Sequence, residues 1–482
     1  MASEKKTVKE SGQVFTPDYI VANILDLCGY FGKEIIEKQI IDNSCGDGAF
    51  LCQVVSRYIE AAIKSGLAKK DIVKQLEKNI HGVDTDEIAC KRCLERLSDI
   101  ALKNNLGKVK WDIRNKDVLS EKAFNGKMDY VVGNPPYVRV HNLSDSYSAV
   151  KQFSFAEGGM TDLYLVFFEI GFNMLSKNGV LCYITPSSWT SSLAGTNFRS
   201  YIKYHKNLRA VVDLEHFQAF DATTYTMISL FENSKKNQIV QYYGYDEKQK
   251  KPSFREELDI DKSDIGGKFF FTKHQIQSLL KTIKTSPHPK IVAVKNGFAT
   301  LADKVFIGDV PETSITIPII KASTGKWKRG LFPYDEKGVP IPENKLFADK
   351  IIKSYFISHK EDLLKDKDEY PGWFYYGRTQ ALKDVYKEKY SINTIIKDVS
   401  SIKLNLVPSG SGIYSGLYIL TDINEKTLKE VLLCEEFVEY IASLKNYKSG
   451  GYYTFNSKDL EQYLNYKLEE MGYTADNEGL LI

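Results

Sequence analysis

The chain has 482 residues, which is longer than a typical single domain and predicts two or three domains. Its composition, 43% hydrophobic and 26% charged, is that of a globular protein and excludes a disordered or fibrous one. The 65 basic and 62 acidic residues leave a formal net charge of +3, so a polyanion would be bound by a local basic patch and not by the whole surface.

Seven cysteines, an odd number, are scattered along the chain, which favours a reducing compartment over a disulfide framework. Cys90 and Cys93 have the spacing of metal ligands, but no second Cys or His pair lies near them. We therefore interpret both as packing residues of a helix and predict no metal. The amino terminus lacks the apolar core of a signal peptide, and the longest apolar run, residues 163–168, is too short to span a membrane. We expect a cytoplasmic protein with no membrane partner.

Hydrophobic periodicity in the first third of the chain predicts alternating helices and strands. Pro17 is well placed to begin the first helix, because proline is favoured at the first helical position. The predicted helices cover residues 18–30, 49–63, 70–78 and 87–104, and the predicted strands cover 40–41, 80–84, 109–113 and the stretch from 129 to 133. This alternation is typical of an α/β fold with a parallel sheet.

The first strand leads into a glycine turn that predicts a cofactor site. Gly46 and Gly48 make a tight turn into the following helix. The dinucleotide fingerprint would need a third glycine where this chain has Leu51, and Asp42 and Asp47 beside the turn would repel a pyrophosphate. A cofactor with a cationic centre and an amino-acid head suits the turn better.

Each of the four predicted strands is followed by an aspartate or an asparagine, at positions 42, 84, 117 and 134. A single aspartate at a strand end is most often a helix cap or an Asx turn. Four such residues at the carboxyl edge of one sheet instead predict a polar ligand, because open α/β sheets bind ligands there. A carboxylate such as Asp84 can accept hydrogen bonds from ribose hydroxyls.

The fourth strand ends in Asn134-Pro135-Pro136-Tyr137, a stiff turn. Both prolines fix their own φ and restrict the residue before them. The turn offers a side-chain amide, proline carbonyls and an aromatic face, a set that suits a planar base with an exocyclic amino group. The other interpretation is a rigid turn with a core tyrosine.

The order of these motifs resembles the TaqI-like gamma class of adenine-N6 DNA methyltransferases. The motifs are Phe15-Thr16-Pro17, Asp42 with Cys45-Gly46-Asp47-Gly48, Asp84, Asp117-Val118 and the turn from Asn134 to Tyr137. The resemblance covers roughly the first half of the chain. It implies a Rossmann-like methyltransferase domain that uses S-adenosylmethionine (SAM), followed by a mixed α+β target-recognition domain.

The resemblance also implies roles for individual residues. Thr16 and Asp42 would lie near the methionine end of SAM, Asp84 would bind its ribose hydroxyls, and Asp117 its adenine amino group. The full implied cofactor set is Phe15, Thr16, Pro17, Asp42, Cys45, Gly46, Gly48, Asp84, Asp117, Val118 and Asn134. The implied catalytic set is Asn134, Pro135, Pro136, Tyr137 and Phe220.

Phe220 is assigned from the segment 217–228, which resembles the family segment that supplies a second aromatic ring beside the target base. Tyr225 is the alternative, and core packing is an open interpretation for either ring. Between the turn and this segment the patterns predict a helix over 162–169, a helix stop at Gly179, and strands ending at 186 and 214.

The second half of the chain has a different texture. Residues 246–267 are charged and rich in turn residues and are interpreted as a connection, and a short helix over 273–284 follows. The most favoured boundary, residues 285–290, gives a catalytic domain 1–285 and a DNA target-recognition domain 286–482. Loops are predicted over 321–329, 371–378 and 408–416, and helices over 425–444 and 457–471.

Basic residues next to aromatic ones on these loops are what phosphate binding and base stacking require. The candidate DNA-binding residues are Lys326, Lys328, Arg329, Trp373 and Arg378. For each lysine taken alone, a solvated surface charge is the favoured interpretation. The resemblance in this half rests on position and texture and on residues 296–306.

The implied reaction is methyl transfer from SAM to N6 of an adenine in double-stranded DNA. A base inside a duplex must be flipped out to reach a fixed pocket. No cysteine follows a proline as a nucleophile would, which argues against cytosine-C5 chemistry. The alternatives are an RNA or protein-glutamine methyltransferase with the same Asn-Pro-Pro-Tyr site, or a non-catalytic DNA-binding subunit.

The expected partners are duplex DNA and a cognate restriction endonuclease that acts separately. The chain itself is expected to be a monomer. A nuclease fused ahead of the first motif is not expected, because about twelve residues precede that motif.

Overall fold

The computed structural model describes residues 15–139, 147–157, 161–220, 224–233, 236–364 and 372–474. Residues 12–14 and 221–223 and Pro371, which belong to predicted motifs or loops, lie outside the described residues. The chain forms two compact units, Met1–Ser278 and Leu279–Ile482, and the division falls seven residues before the predicted end of the first domain. No helix among the described residues combines the length and apolar character that crossing a bilayer requires.

The first unit is built around one nine-stranded sheet. Its strands are β1 (Ile40–Asp42), β2 (Ile80–Asp84), β3 (Asp112–Asn115), β4 (Met128–Gly133), β5 (Leu175–Pro186), β6 (Leu208–Asp213), β7 (Thr226–Glu232), β8 (Ile239–Asp246) and β9 (Lys251–Asp259). The spatial order is β3-β2-β1-β4-β5-β7-β6-β8-β9. The first five strands in this order, β3, β2, β1, β4 and β5, are parallel to one another. Strand β7 is antiparallel to both of its neighbours, β5 and β6.

Helices cover both faces of this sheet. The helices of this unit are α1 (Asp18–Leu27), α2 (Ala49–Lys64), α3 (Lys69–Asn79), α4 (Glu87–Lys103), α5 (Tyr147–Val150), α6 (Leu163–Met174), α7 (Thr196–His205) and α8 (Ile260–Ser263), with short strands β10 (Asp264–Ile265) and β11 (Lys268–Phe269). The next helix, α9 (His274–Thr285), contains the division between the two units. The neighbouring residues Ile40 and Ile41 point to opposite faces and belong to two separate hydrophobic cores. The predicted α/β fold class is therefore confirmed.

The sheet order places a topological switch point between β1 and β4. From β1 the chain moves outward through β2 to β3 and then returns to β4 on the other side of β1. The crevice at the carboxyl ends of such strands is where open α/β sheets bind ligands. Asp42 and Asn134 both lie at this crevice, as the sequence predicted.

The second unit is mixed α+β, as predicted. Its strands are β12 (Ala293–Asn296), β13 (Ile307–Gly308), β14 (Thr316–Lys321), β15 (Lys326–Leu331), β16 (Lys389–Ile392), β17 (Ile395–Ile396), β18 (Leu404–Val407), β19 (Gly412–Tyr414), β20 (Leu417–Leu420), β21 (Tyr447–Lys448) and β22 (Tyr452–Thr454). Its helices are α10 (Asp303–Phe306), α11 (Glu343–Leu346), α12 (Lys350–Ser358), α13 (Lys360–Leu364), α14 (Glu425–Leu432), α15 (Glu435–Ser443) and α16 (Ser457–Glu470).

Several predicted elements of the first unit are wrong in type or position. The third strand begins at Asp112 and not at Val109. It ends at Asn115, so Asp117 lies two positions beyond its end. Gly179 does not end a helix but lies inside β5, which begins directly after α6. The supposed connection after residue 246 contains β9, which pairs with β8 at the edge of the large sheet. Charged residues are expected on an edge strand, and they imitate a loop in the sequence.

Two predictions in the second unit are also wrong. The supposed basic loop 321–329 is largely a hairpin, in which β15 pairs antiparallel with β14. The single helix predicted over 425–444 is two helices, α14 and α15, because Leu433 and Cys434 leave the helical conformation. Exposed charges and turn residues hid the hairpin, whereas the apolar Leu433 and Cys434 gave no sign of the break between α14 and α15.

Candidate active site

A cavity of about 550 Å³ lies at the carboxyl ends of β1, β2 and β4. Its wall contains most residues of the predicted cofactor and catalytic sets, namely Phe15, Thr16, Asp42, Cys45, Gly46, Asp84, Asp117, Val118, Asn134, Pro135 and Pro136. Pro17 caps α1, and Gly48 is the residue before α2. Tertiary structure thus gathers residues that follow four strands, the first and last of which, Asp42 and Asn134, are 92 positions apart in the sequence.

The glycine turn after β1 is fixed by its neighbours. Gly46 and Gly48 both have positive φ, of 50° and 89°. The Gly46 N–H donates a hydrogen bond to Asp84 Oδ2 at 2.8 Å. A Cβ on Gly48 would lie 2.7 Å from the buried sulfur of Cys93, so the first turn of α2 packs directly against α4. The two glycines are therefore required by backbone conformation and by close packing.

Asp42 is a buried carboxyl group, 1% exposed, at the end of β1. Its Oδ1 accepts a hydrogen bond from the Ser44 N–H at 3.0 Å. Burial, together with the nearby carboxylate of Asp84, raises the pKa of Asp42 to about 8. A cation bound beside Asp42 would favour its ionised form. Asp47, by contrast, already forms an ion pair with Arg96 at 2.9 Å, so its predicted repulsion of a pyrophosphate is largely offset.

Asp84 is held by two backbone groups. Besides the Gly46 N–H, it accepts a hydrogen bond from the Asp86 N–H, at 2.9 Å to Oδ1. Each carboxylate oxygen keeps a second lone pair that can accept from a ligand hydroxyl. Asp117 is fixed in a similar way, because its Oδ1 accepts from the Leu119 N–H at 3.0 Å and caps the short 3₁₀ helix Val118–Ser120.

Asn134 has one satisfied and one unsatisfied side-chain atom. Its Nδ2 donates a hydrogen bond to Thr16 Oγ1 at 3.1 Å. Its Oδ1 is buried and has no hydrogen-bond donor among the described residues. A buried acceptor without a partner costs about 1–3 kcal/mol, so a ligand that donates a hydrogen there is favoured.

Gly133, the residue before Asn134, allows the carboxyl group of Asp42 to lie against the backbone of β4. A Cβ at Gly133 would lie 2.8 Å from Asp42 Oδ1, and its φ is 154°. Only a glycine lets the Asp42 carboxyl lie against the backbone before the Asn-Pro-Pro-Tyr turn. Asp42 at the end of β1 and Asn134 after β4 therefore line the same cavity.

Tyr137 lies in contact with Phe220, one of the two aromatic candidates. Their ring centroids are 6.2 Å apart at an angle of 79°, and the Tyr137 hydroxyl donates to the Ile184 carbonyl at 3.2 Å. Phe220 is 8% exposed and belongs to a hydrophobic core. Tyr225 lies beside His216, at 6.1 Å between ring centroids. The edge-to-face geometry of Tyr137 and Phe220 does not form parallel walls for a base as the rings stand.

The cavity wall also contains polar residues that the sequence analysis did not single out. They are Asn43, Ser44, Thr85, Asp86, Arg92 and Lys116. Asn43 and Ser44 continue directly from Asp42, so the strand-end argument could have included them. Arg92 could not be assigned, because its position in the wall depends on how α4 packs on the sheet.

The candidate DNA-binding residues of the second unit differ in their exposure and in the contacts of their side chains. Lys326 and Lys328 are exposed on β15. Arg329 is paired with Glu312 at 3.2 Å. Trp373 is half-buried against Phe374, with ring centroids 5.5 Å apart. Arg329 would have to leave its ion pair with Glu312, and Trp373 its packing on Phe374, before either side chain could contact DNA.

Arg378 is exposed. It stays a candidate for DNA binding on this ground.

Part of the chain is similar to a known protein family. Residues 58–220 match the family model described as "Eco57I restriction-modification methylase". Among curated relatives, the Type II methyltransferase M.BstVI of Geobacillus stearothermophilus is 25% identical over 410 residues, which cover 74% of this chain and 72% of the relative.

Two further relatives are matched over smaller shares of their length. The Type II methyltransferase M.XhoI of Xanthomonas vasicola is 26% identical over 47% of this chain and 43% of the relative. The Type II restriction enzyme and methyltransferase RM.Eco57I of Escherichia coli is 25% identical over 61% of this chain. The match spans only 36% of that relative.

Two solved structures share the fold over nearly the whole chain. The Type IIL restriction-modification enzyme MmeI in complex with DNA has a TM-score of 0.59 and 13% identity over 91% of this chain and 63% of its own. A nuclease-deletion mutant of the Type ISP restriction-modification enzyme LlaGI, solved with a DNA substrate mimic, has a TM-score of 0.53. Its identity is 12% over 97% of this chain and 48% of its own.

The first unit has a Rossmann-like α/β fold with a polar cavity at the carboxyl edge of its sheet. Residues 58–220 are similar to the Eco57I restriction-modification methylase family, which agrees with the resemblance that the motifs indicated. The predicted cofactor, SAM, is the one these relatives share. The cavity fits it, because the buried carboxyl group of Asp42 suits a cationic group, the carboxylate of Asp84 suits hydroxyl groups, and the glycine turn leaves room for close approach.

Proposed function

We propose that the protein transfers a methyl group from SAM to N6 of an adenine in duplex DNA. The observation that carries the proposal is the unpaired, buried Oδ1 of Asn134 in the cavity wall. This acceptor is held in place by the bond from its own Nδ2 to Thr16, and it stands beside the two proline residues. An exocyclic amine supplies the hydrogen that such an acceptor lacks.

The roles of the cavity residues follow from their chemistry. Asp84 would accept the ribose hydroxyls of SAM, Asp117 would accept its adenine amino group, and Thr16 and Asp42 would face its methionine end. When bound, SAM supplies a methyl group made electrophilic by its sulfonium centre. Phe15, Cys45, Gly46 and Val118 would form the apolar and backbone surface around it.

The same residues account for activation of the amine. The adenine amine is a poor nucleophile, since its lone pair is delocalised into the ring. Asn134 Oδ1 and the Pro135 carbonyl would accept its two hydrogens and direct the lone pair toward the methyl carbon. The new N–C bond forms as the C–S bond breaks, and the extra amine proton then leaves to solvent. Holding the two groups in line supplies much of the catalysis.

Duplex DNA is proposed as the substrate, with the target base flipped out of the stack. Flipping costs a few kcal/mol, and stacking on Tyr137 at about 1–3 kcal/mol per base would offset much of that cost. The second unit, beyond about residue 285, is proposed to recognise the target sequence. The relatives include restriction-modification enzymes, which supports this substrate class.

Three further points stay predictions. The protein is expected to act in the cytoplasm and as a monomer. A cognate restriction endonuclease is expected to act separately on the same DNA sequence.

The direct test is methylation of duplex DNA in vitro, followed by mass spectrometry of the digested nucleosides. We expect N6-methyladenine as the only methylated base. N4-methylcytosine in its place would overturn the choice of base, and methyl transfer only to RNA or protein would overturn the choice of substrate.

The matched variant is Asn134→Ala, with Asn125→Ala as its control. Asn125 is an exposed asparagine outside the cavity wall. We expect Asn134→Ala to lower radiolabel transfer more than tenfold, because the loss of a hydrogen bond made in the transition state costs about 2.7–4 kcal/mol. SAM binding should persist in both variants. Transfer above a tenth of the wild-type rate in Asn134→Ala would contradict the role of this residue.

A further inference from the structure

Asn43 is a buried amide at the switch point with no assigned role. It follows the last residue of β1, lies in the cavity wall and is 1% exposed. Its Oδ1 accepts a hydrogen bond from the hydroxyl of Tyr183 at 2.9 Å. Tyr183 is fully buried on β5, so this bond fixes which way the amide is turned.

The other end of this amide lacks a partner. Among the described residues no acceptor lies within hydrogen-bond distance of Asn43 Nδ2, although the atom is buried. Because Oδ1 is already used, Asn43 can offer a ligand only N–H donors. A group bound at this point of the cavity must therefore present an acceptor atom.

The order of the strands indicates which part of the cofactor reaches Asn43. In the proposed site the adenine amino group lies at Asp117 after β3, and the ribose at Asp84 after β2. The sheet continues from β2 to β1, β4 and β5. Asn43 follows β1 and is tied to β5, so it lies at the far end, where the methionine part must be.

The chemistry of that part leaves one acceptor. A sulfonium centre has no hydrogen-bond acceptor, and an ammonium group has donors only. The α-carboxylate is the single remaining group. The α-amino and α-carboxyl groups share one carbon atom, and Asp42 and Asn43 are likewise adjacent, one suited to a cation and the other to an anion.

We propose that Asn43 binds the α-carboxylate of SAM through Nδ2 and that Tyr183 positions it. This inference rests on the proposed cofactor site but not on the identity of the methyl acceptor. A ring nitrogen of the target base is the competing acceptor, since the base also enters beside Asn134.

The test compares two ligands on each purified variant by calorimetry without DNA: SAM and decarboxylated SAM. The ratio of their dissociation constants cancels any general loss of folding or cavity shape. Wild-type protein should bind SAM more tightly than decarboxylated SAM. Asn43→Asp keeps the oxygen that faces Tyr183 but replaces the donor with an acceptor, so we expect SAM binding to weaken about tenfold to a hundredfold and decarboxylated SAM binding to change little.

Asn43→Ser serves as a second variant if Asn43→Asp does not fold, and it should reduce the preference in the same direction. Tyr183→Phe should reduce it less, since the amide stays but is no longer held. An unchanged ratio in the Asn43 variants, or equal weakening of both ligands, would overturn the inference.

These outcomes are distinct from failure of the proposed function. If wild-type protein prefers SAM by the Asn43-dependent ratio but methylates RNA or protein, the inference stands and the proposed substrate fails. If it methylates adenine in DNA while the ratio is independent of Asn43, the reverse holds. A protein that binds neither ligand would overturn both.

Discussion

At the scale of single residues, the site is built from polar atoms that are held in place but not saturated. Asp84 and Asp117 accept backbone N–H groups and keep free lone pairs. Asn134 and Asn43 each have one end of the amide bonded and the other end unpaired. This pattern pre-organises the cavity, because the side chains lose little freedom when a ligand binds.

The raised pKa of Asp42 predicts a pH-dependent stability. Its folded-state pKa is about 8 against an ordinary value of 3.8, so folded protein holds a proton that unfolded protein has lost between these pH values. The free energy of unfolding of the ligand-free protein should therefore fall as pH rises through this window, by at most about 1.4 kcal/mol per pH unit from this group. Below the window both states are protonated, and above it both are ionised.

Denaturant unfolding of wild-type protein and of Asp42→Asn, measured across this pH range, checks the prediction. The variant keeps the oxygen that accepts from Ser44 but cannot ionise, so its curve should be flatter. If SAM brings a cation to Asp42, binding near pH 7 should release a proton in wild-type protein and not in the variant. Identical pH profiles for the two proteins would show that Asp42 is not the responsible group.

The ring of Tyr137, and not its hydroxyl, should support methyl transfer. Tyr137→Ala removes the stacking face and should lower transfer roughly fivefold to a hundredfold, the range expected from about 1–3 kcal/mol per stacked base. Tyr137→Phe keeps the ring and loses one hydrogen bond to the Ile184 carbonyl, so it should stay largely active and lose about 1 kcal/mol of stability.

Initial rates of methyl transfer at saturating SAM separate these cases, with melting temperature as the check on folding. Loss of Phe220 together with Tyr137 should cost more than either loss alone if both rings contact the base. A folded Tyr137→Phe protein as inactive as Tyr137→Ala would instead assign the function to the hydroxyl.

At the scale of elements, the short strand β15 replaces the loop that the sequence predicted. A strand presents Lys326 and Lys328 on one face, since side chains alternate along it. Arg329 points to the other face, where it pairs with Glu312. Two lysines on a fixed strand are better placed to contact successive phosphates than the same residues on a loop.

We therefore expect the double variant Lys326→Ala/Lys328→Ala to weaken DNA binding whichever sequence is tested. Each phosphate contact contributes roughly 0.9 to the slope of log K against log salt, so the slope should flatten by up to about two. The matched control is Lys350→Ala/Lys353→Ala, two exposed lysines on α12. Salt titrations of DNA binding that give the same slope for wild type and for the β15 variant would exclude phosphate contact by this strand.

At the scale of the whole molecule, the two units have separate hydrophobic cores and separate sheets. All residues that line the cavity at the ends of β1, β2 and β4 belong to the first unit. Ligand binding stabilises the part of a protein that it contacts and slows local opening there.

Hydrogen exchange followed by mass spectrometry tests this division. SAM should slow amide exchange in peptides that cover the ends of β1, β2 and β4 and the segment around Asp117. It should leave β12 to β15 nearly unchanged. Equal protection in the second unit would show that the cofactor site is not confined to the first.

The sequence alone was sufficient to predict the fold class and the polar residues that line the cavity at the strand ends. Short-range patterns were sufficient, because a buried parallel strand is an apolar run and its carboxyl end must be followed by a turn. Asp42, Asp84 and Asn134 each stand at such an end, so their shared edge could be predicted without knowing the strand order. Proline and glycine added constraints that act within two residues.

Tertiary structure alone decided what depends on contacts between distant segments. The unpaired amide atoms of Asn43 and Asn134, the burial that raises the pKa of Asp42, and the need for Gly133 all arise where β1 meets β4 and β5. The strands β9 and β15 were also hidden. β9 is an edge strand, and the two-residue strand β13 pairs only with Arg329 and Gly330 of β15. A strand that is solvated along much of one side carries the charges and turn residues of a loop. Local sequence fixes which groups end a strand, whereas only packing fixes which of them lose water and which lack a partner.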